Sequence, residues 1–546
     1  MIHWFDKNLE TNLPDRTSIM LDLLCQWDTK ELKKWTTTLI QQSLMVINEL
    51  GFLNQNEEKR LETQLNNYFT FKDQPRSIVE PFVDTCCNTA MKMIKGRTLL
   101  VFKMNGSCRM TLMNAYCYKC RRKYSNNYFI QNGEKYVTYE SVFNRNLIYF
   151  GGDYAYEKEL IRWLTNSILY LYSGFDNFSK CYNASCLNIN KSHVTMCATR
   201  IRDLWFLYQF VAVSFFYTRE DNLKIPIQCD RQELVVFMNK AFDRLNVKFV
   251  KFWVHHKEYS NCGPTCSKVF VCDGFQKPSR FICSNVKMSV YSEELGNVTI
   301  GCGNRPQYIE TNEVNSEHYE SRTVSANTTN KMNKNETLGL CSTCKLNPIF
   351  DIVEEETIIN NDCNINRNPR FINGKTRSYG IIYTMLNCGI IIDFLEINLS
   401  EQVFITLLHW LCMLQKIDDL SRIPKIFVYD NACSVWTYFK KRLHDTHTIK
   451  QTKFSLFLDD CEIYIDRLHQ RTHNRPMCRT ERNINLREDL ADVNTVICEQ
   501  TNAWFKQFLN ILCNFSGQRS KLYYLFLFHL LNCKRGSFDP ENNTFS

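Results

Sequence analysis

The chain has 546 residues, too many for one ordinary domain, so two or three are expected. Its 44% hydrophobic and 23% charged residues exclude a wholly disordered chain. The net charge of +9, from 66 basic against 57 acidic residues, permits a nucleic-acid partner without requiring one.

The 26 cysteines imply either a disulfide framework or reduced thiolates that hold zinc. The start, MIHWFDKNLETNLPDRTS, has no basic stretch followed by an apolar run, so no secretory leader is expected. The longest apolar run, residues 204–217, is shorter than the roughly 20 residues that span a bilayer, and it reads as a buried helix or strand. An intracellular, reduced, metal-using protein without a membrane partner is the expectation.

Residues 1–75 read as a helical N-terminal unit, with apolar positions at helical spacing in SIMLDLLCQW and TTTLIQQSLMVINELGFL. Residues 76–150 are β-like and carry cysteines (RTLLVFKMNG, TLMNAYCYKCRRKY, EKYVTYESVF, NLIYFGG), which suggests a small zinc-ribbon-like part. Residues 151–254 form a mixed, mainly helical connecting region.

From 255 to 535 the pattern becomes α/β. SKVFVCDG is a short apolar run ending in an acid, a buried strand. Within an expected insertion, 284–376, residues 311–337 are polar and lack periodicity, as in a loop or disordered segment. Two strand-like runs follow, RSYGIIYTML and GIIIDFLEI, joined by the hairpin signal Asn387-Cys388-Gly389. An amphipathic helix opens at Ser400 as N-cap, and KIFVYD is a second apolar run ending in an acid. CSVWTYFKKRL reads as helix, CEIYIDRL as strand, and a helical region from Val493 closes the fold before a disordered tail, 536–546.

Asp273 and Asp430 thus end buried strands, and Glu499 lies on the late helix. A strand-terminal aspartate is expensive to bury unpaired, and two on neighbouring strands make sense with cations between them. Each has an ordinary reading too: Asp273-Gly274 as a turn, Asp430 as a helix cap, Glu499 as a solvated helix residue. Glu462 and Asp466 compete with Glu499 as the third acid.

The strings VCDGFQKPSRFIC, NCGIIIDFLEINLSEQV, FVYDNACSVWTYFKKR, IDRLHQRTHNRPMC and NTVICEQTNAWF, taken in this order, resemble the core of the KDZ (Kyakuja, Dileera, Zisupton) DDE transposases over residues 250–535. TLMNAYCYKCRRKYSNNYF is similar to the CxC-type cysteine cluster associated with them. The resemblance implies a ribonuclease H-like mixed sheet with helices, and Asp273, Asp430 and Glu499 as catalytic ligands of Mg²⁺ or Mn²⁺. It also implies DNA as substrate, nuclear localisation, and metal-dependent strand cleavage and transfer; a homo-oligomer is left open. The short interval from Asp430 to Glu499 departs from many transposases, which hold a large helical insertion there.

Zinc needs four ligands, usually in closely spaced pairs. Cys117-x2-Cys120 is one such pair, with Cys86 and Cys87 or Cys108 as partners. Cys262-x3-Cys266 with a histidine (His255 or His256) and Cys283 would close a second site, and Cys341-x2-Cys344 with Cys363 and Cys302 a third. Cys433, His469, His473 and Cys478 form a further constellation after Asp430. The bland alternative throughout is buried cysteine acting as a small hydrophobe.

The densest basic stretch comprises Lys440, Lys441, Arg442, Arg467, Arg471, Arg475 and Arg479, between the second and third acids. Phosphate contacts are the expected role, against the usual reading as a solvated face. Two further functions compete: a domesticated, inactive zinc-containing DNA- or chromatin-binding protein, and a zinc-stabilised protein-interaction module.

Overall fold

The computed structural model of the chain describes residues 77–187, 194–304 (less 219, 230, 261, 279 and 284), 341, 344 and 378–541 (less 516). The expected N-terminal helical unit, the polar segment 311–337, Cys363 and residues 542–546 lie outside the described residues. The protein is mixed α/β and divides into two units, Met1–Phe237 and Met238–Ser546. The division falls inside a helix, not at the 254/255 boundary read from the sequence.

In the first unit, β1 (Ser77–Val79), β2 (Thr85–Cys86) and β3 (Thr89–Ala90) precede a long hairpin of β4 (Lys92–Lys103) and β5 (Gly106–Tyr116). Short strands follow: β6 (Lys123–Tyr124), β7 (Phe129–Gln131), β8 (Glu134–Val137), β9 (Leu147–Ile148), β10 (Tyr154–Glu157) and β11 (Leu223–Ile225). Among the described residues they make one sheet ordered β11-β8-β7-β6-β5-β4-β10-β9, with β1 on β5, while β2 and β3 pair separately. Leu99, Val101, Met110, Leu112 and Ala155 form its core, because alternate residues of β4 and β5 point inward. The stretch 76–150 therefore builds most of a broad sheet, larger than the small ribbon expected.

Helices α1 (Tyr139–Phe143), α2 (Lys158–Leu171), α3 (Phe175–Leu187) and α4 (Ala198–Tyr217) complete the unit, and α5 (Arg231–Val254) crosses into the next. Thr138 and Ser141 cap α1 reciprocally. The apolar run 204–217 lies in α4, where thirteen residues including Trp205, Phe210 and Phe216 are buried. A run apolar on every side carries no period, so only the fold decides between helix and strand.

The second unit is organised on five strands: β12 (Phe270–Phe275), β15 (Gly380–Leu386), β16 (Ile391–Ile397), β17 (Ile426–Tyr429) and β18 (Glu462–Tyr464). The hairpin of β13 (Ser289–Ser292) and β14 (Gly296–Thr299) stands apart from them. Their order is β16-β15-β12-β17-β18; β15 is antiparallel to β12 and β16, whereas β12, β17 and β18 run parallel. All seven residues of β15 are buried, and its sequence is apolar but for Thr384, whose hydroxyl meets His409 Nε2 at 2.9 Å.

Around the strands lie α6 (Val403–Gln415), α7 (Ala432–Lys440), α8 (Lys453–Asp459), α9 (Pro476–Arg479), α10 (Ile497–Phe505), α11 (Leu509–Leu512) and α12 (Gly517–Gly536). Buried Asn532 of α12 bonds both the N–H and the C=O of Ile391, so its amide serves β16 as a neighbouring strand would. Ser400 does not cap α6. The N-cap is Gln402, in extended conformation, whose side-chain amide donates to Ser400 Oγ at 2.8 Å and makes no bond to the helix, while Glu401 accepts from Tyr429. Among the described residues no helix is long and apolar enough to cross a membrane.

Candidate metal centre and thiolate groups

The parallel pairing of β12 and β17 ends at Cys272 opposite Tyr429. Asp273 and Asp430 are each one residue further along, at one level and roughly 4.8 Å apart in backbone. Asp430 follows the last residue of β17, but Asp273 does not end its strand as expected, because β12 runs on to Phe275 in its pairing with β15. Asp273 Oδ1 accepts from the Gly274 N–H at 2.8 Å and Asp430 Oδ1 from the Asn431 N–H at 2.6 Å. The helix-cap reading of Asp430 does not hold: α7 takes Asn431 as its N-cap.

Helix α10 lies against β12, with Cys498 Sγ near the Val271 carbonyl at 3.5 Å. It brings Glu499 to the pocket and, one turn on, Asn502, whose amide donates to Asp273 Oδ2 at 2.6 Å. Tyr383 holds that amide from the other side, donating to Asn502 Oδ1 at 2.6 Å. Glu499 itself is exposed, at the rim.

The electrostatics show that these acids share one space. Burial, then the charges of Asp430, Glu401 and Glu499, push the Asp273 carboxyl well above the usual carboxylate range. Burial and then Glu401 raise Asp430 to about 7, against the pull of His469. His469 is raised to about 9, first by its hydrogen bond to buried Asp466 (Nδ1 to Oδ2, 2.7 Å) and then by further acids, Asp430 and Glu499 among them. Lys277 meets Lys506, which depresses the Lys277 pKa against the opposing pull of nearby Glu499. Glu462 turns away, to Arg487 and Tyr464.

Four tighter groups gather ligand atoms within 4.8 Å among the described residues: Cys86, Cys87, Cys117 and Cys120; His256, Cys262, Cys266 and Cys388; Cys283, Cys302, Cys341 and Cys344; and Cys433, His473 and Cys478. A zinc tetrahedron with sulfur at about 2.3 Å has an edge of about 3.8 Å. Cys86 and Cys120 sulfurs are 3.4 Å apart, Cys302 and Cys341 3.7 Å, and Cys433 Sγ lies 3.5 Å from His473 Nδ1. The donor sets fit zinc, and no disulfide joins the described cysteines.

Backbone geometry prepares them. Cys87 and Asn88, at φ 51° and 55°, turn the two-residue β2–β3 hairpin and set Cys86 beside the Cys117-x2-Cys120 loop. The Cys120 N–H, first among several donors, lowers the Cys117 thiol to about 7. Burial pushes Cys341 up, but the Cys344 N–H and the neighbouring thiols bring it down to about 7.

Several sequence assignments change. Cys283 belongs with Cys302, Cys341 and Cys344, and Cys388 takes the place expected for it beside Cys262 and Cys266. The reason is the β15–β16 hairpin: Asn387 bonds the Lys268 N–H and the Thr265 carbonyl, which carries Cys388 to 3.4 Å from His256 Nε2. His256, not His255, is the histidine of that group. His469 stands outside the Cys433 group because Asp466 holds it towards the acids. His473 remains and also bonds the Asp430 backbone, tying this group directly to the second strand-terminal acid.

The basic stretch is divided. Lys440 pairs with Asp459 at 2.6 Å, Arg442 stacks over Tyr438, and Arg467 donates to the Leu490 and Val493 carbonyls. Arg475 lies 4.0 Å from Cys433 Sγ, whereas Lys441, Arg471 and Arg479 are exposed. Arg280, part of the motif after Asp273, forms a buried bidentate pair with Glu396 at 2.6 and 2.7 Å.

Sequence reading missed Glu401, Asn502 and Cys388. Asn502 had a usable signal, its placement three residues after Glu499 on a helix. Searches against protein-family models, curated proteins and solved structures found no match for this chain.

Proposed function

We propose that the second unit is a ribonuclease H-like core of the KDZ transposase kind, active in, or descended from, metal-dependent DNA cleavage and strand transfer. The observation that carries this reading is the pair of aspartates at one level on β12 and at the end of its parallel neighbour β17, with exposed Glu499 beside them. The sheet order, three antiparallel strands extended by two parallel ones, is what such a core requires.

The acids fit Mg²⁺ or Mn²⁺. They are hard oxygen donors whose carboxyls are raised first by burial and then by neighbouring acids, and a divalent cation would offset both. Asp273, Asp430 and Glu499 would hold the ions, which supply an activated water and charge neutralisation for in-line displacement at a phosphodiester.

The chain's own groups do the rest. Asn502 and the Gly274 N–H fix both Asp273 oxygens, and the Asn431 N–H fixes one of Asp430. Lys277 and Lys506 place cationic donors beside Glu499, suited to a phosphate of the strand. His469 offers a protonated ring near Asp430, oriented by Asp466.

The test is Mn²⁺-dependent nicking of supercoiled DNA. The wild type should nick, and Asp273→Asn and Asp430→Asn should not; equal nicking by all three would exclude this centre. The alternative is a domesticated, inactive DNA-binding protein. Salt-dependent binding without nicking would establish it.

A further inference from the structure

We infer that the first unit carries a binding surface for single-stranded nucleic acid, built on β4, β5, β6 and the loop between Cys117 and Cys120. It belongs to a different unit from the acid pocket and does not rest on the reading just given.

Charge is the first observation. Residues 85–133 hold five lysines and four arginines and no aspartate or glutamate. That excess equals the net charge of the whole chain, +9, so a modest overall charge conceals one concentrated stretch. Folding neutralises only part of it. Arg97 pairs with Asp153 at 2.8 Å, and Arg122 turns to Gln131 and the Phe129 ring. Lys92, Lys95, Lys119, Arg121 and Lys123 are exposed, and none of them pairs with an acid among the described residues.

Strand register then aligns some of these groups with aromatic rings. Tyr116 of β5 stands opposite Lys92 of β4 and Lys123 of β6. Opposite residues share a face, so Lys92, Tyr116 and Lys123 form one row across three strands. The Tyr118 ring meets Tyr116 edge to face at 5.1 Å and is 66% exposed. Lys119 follows it, and Arg121 turns the chain at φ 58°. The Cys117 N–H donates to the Arg122 carbonyl at 3.0 Å and closes this loop, which Cys117 and Cys120 anchor in the thiolate group.

The ordinary alternative is a solvated basic surface. Such a surface usually intersperses both signs of charge, and it gives no reason to hold a tyrosine in water. Cations around an exposed aromatic ring form the combination that takes a single strand: the charges follow its phosphates and an unstacked base covers the ring. A duplex keeps its bases stacked on one another and offers Tyr118 no partner.

Full-length, zinc-replete protein is titrated by fluorescence anisotropy against a labelled oligothymidylate about 20 nucleotides long, and against a duplex of equal length, at several salt concentrations. The wild type should bind the oligothymidylate. Tyr118→Ala should weaken that complex roughly tenfold and leave duplex binding unchanged. Lys92→Gln combined with Lys123→Gln should lower the single-strand salt slope by about 1.4. These lysines lie outside the Cys117–Cys120 loop, so they test the surface even where Tyr118→Ala disturbs zinc. Asp273→Asn should bind the oligothymidylate as wild type does, which separates this surface from the acid pocket. No binding by wild type, or an unaltered salt slope in the lysine variant, would overturn the proposal. So would a duplex complex weakened by Tyr118→Ala as much as the single-strand one.

Discussion

The acid pocket and the thiolate groups of the second unit face the same problem, several anionic donors in a small volume, and meet it in opposite ways. In the group around Cys341, ligand atoms are already gathered at close to tetrahedral spacing, and the Cys344 N–H helps bring the Cys341 thiol down to about 7, although burial raises Cys283 and Cys302. In the acid pocket the carboxylates hold their protons instead, Asp430 up to about 7. The first arrangement suits an ion that stays, and the second suits ions that enter with a substrate and leave. The His473 group joins the two, since its ring binds beside Cys433 and Cys478 and also bonds the Asp430 backbone.

The largest effect expected from breaking this contrast is on the thiolate side. Cys266→Ser should lose one zinc per chain by metal analysis and cost on the order of 4 kcal/mol or more of stability in denaturant melts. Full zinc content in the variant would return that group to the status of buried thiols. On the acid side, Asp273→Asn should lower Mn²⁺-dependent nicking by roughly a hundredfold or more with zinc content unchanged. Parallel loss of zinc would mean that the two systems are not independent.

A smaller effect comes from protons. Folded Asp430 keeps its proton to about 7, while the unfolded chain releases it near 3.8. Between those values the folded state binds more protons, so the stabilising contribution is complete below the unfolded pKa and is lost as pH rises towards 7. Chemical melts of the Mn²⁺-free protein should therefore show stability falling from pH 4 towards 7 through this group. Asp430→Asn should flatten that slope, and a slope identical to wild type would refute the assignment.

The smallest effect concerns the basic stretch. Arg471→Ala and Arg479→Ala should each reduce the salt slope of DNA binding by about one, while Lys440→Ala, whose partner is Asp459, should leave it unchanged. Equal slopes for all three variants would place the DNA elsewhere.

Much of this was legible in the sequence. FVCDG and IFVYD announced two buried strands, of which only the second ends at its acid while the first runs on to Phe275, and Cys117-x2-Cys120 announced a thiolate pair. What stayed hidden depends on contacts between distant segments. The shared level of Asp273 and Asp430 follows from β12–β17 register, which no local pattern encodes. Glu401 looked like the first turn of an amphipathic helix, and Cys388 like a hairpin residue. Cys283 seemed to complete the Cys262 pair because it was near in sequence, yet Cys302, Cys341 and Cys344 gather around it in space. His469 and His473 share a spacing that suggests one site, and only the position of Asp466 separates them.

The central claim is that acids far apart along the chain grip two divalent ions in one pocket. Anomalous diffraction from crystals of the zinc-replete protein soaked in Mn²⁺ tests it most directly. Two manganese peaks about 4 Å apart, bounded by Asp273, Asp430 and Glu499, are expected. Manganese absent from the ends of β12 and β17, at a concentration that fills other sites, would contradict it.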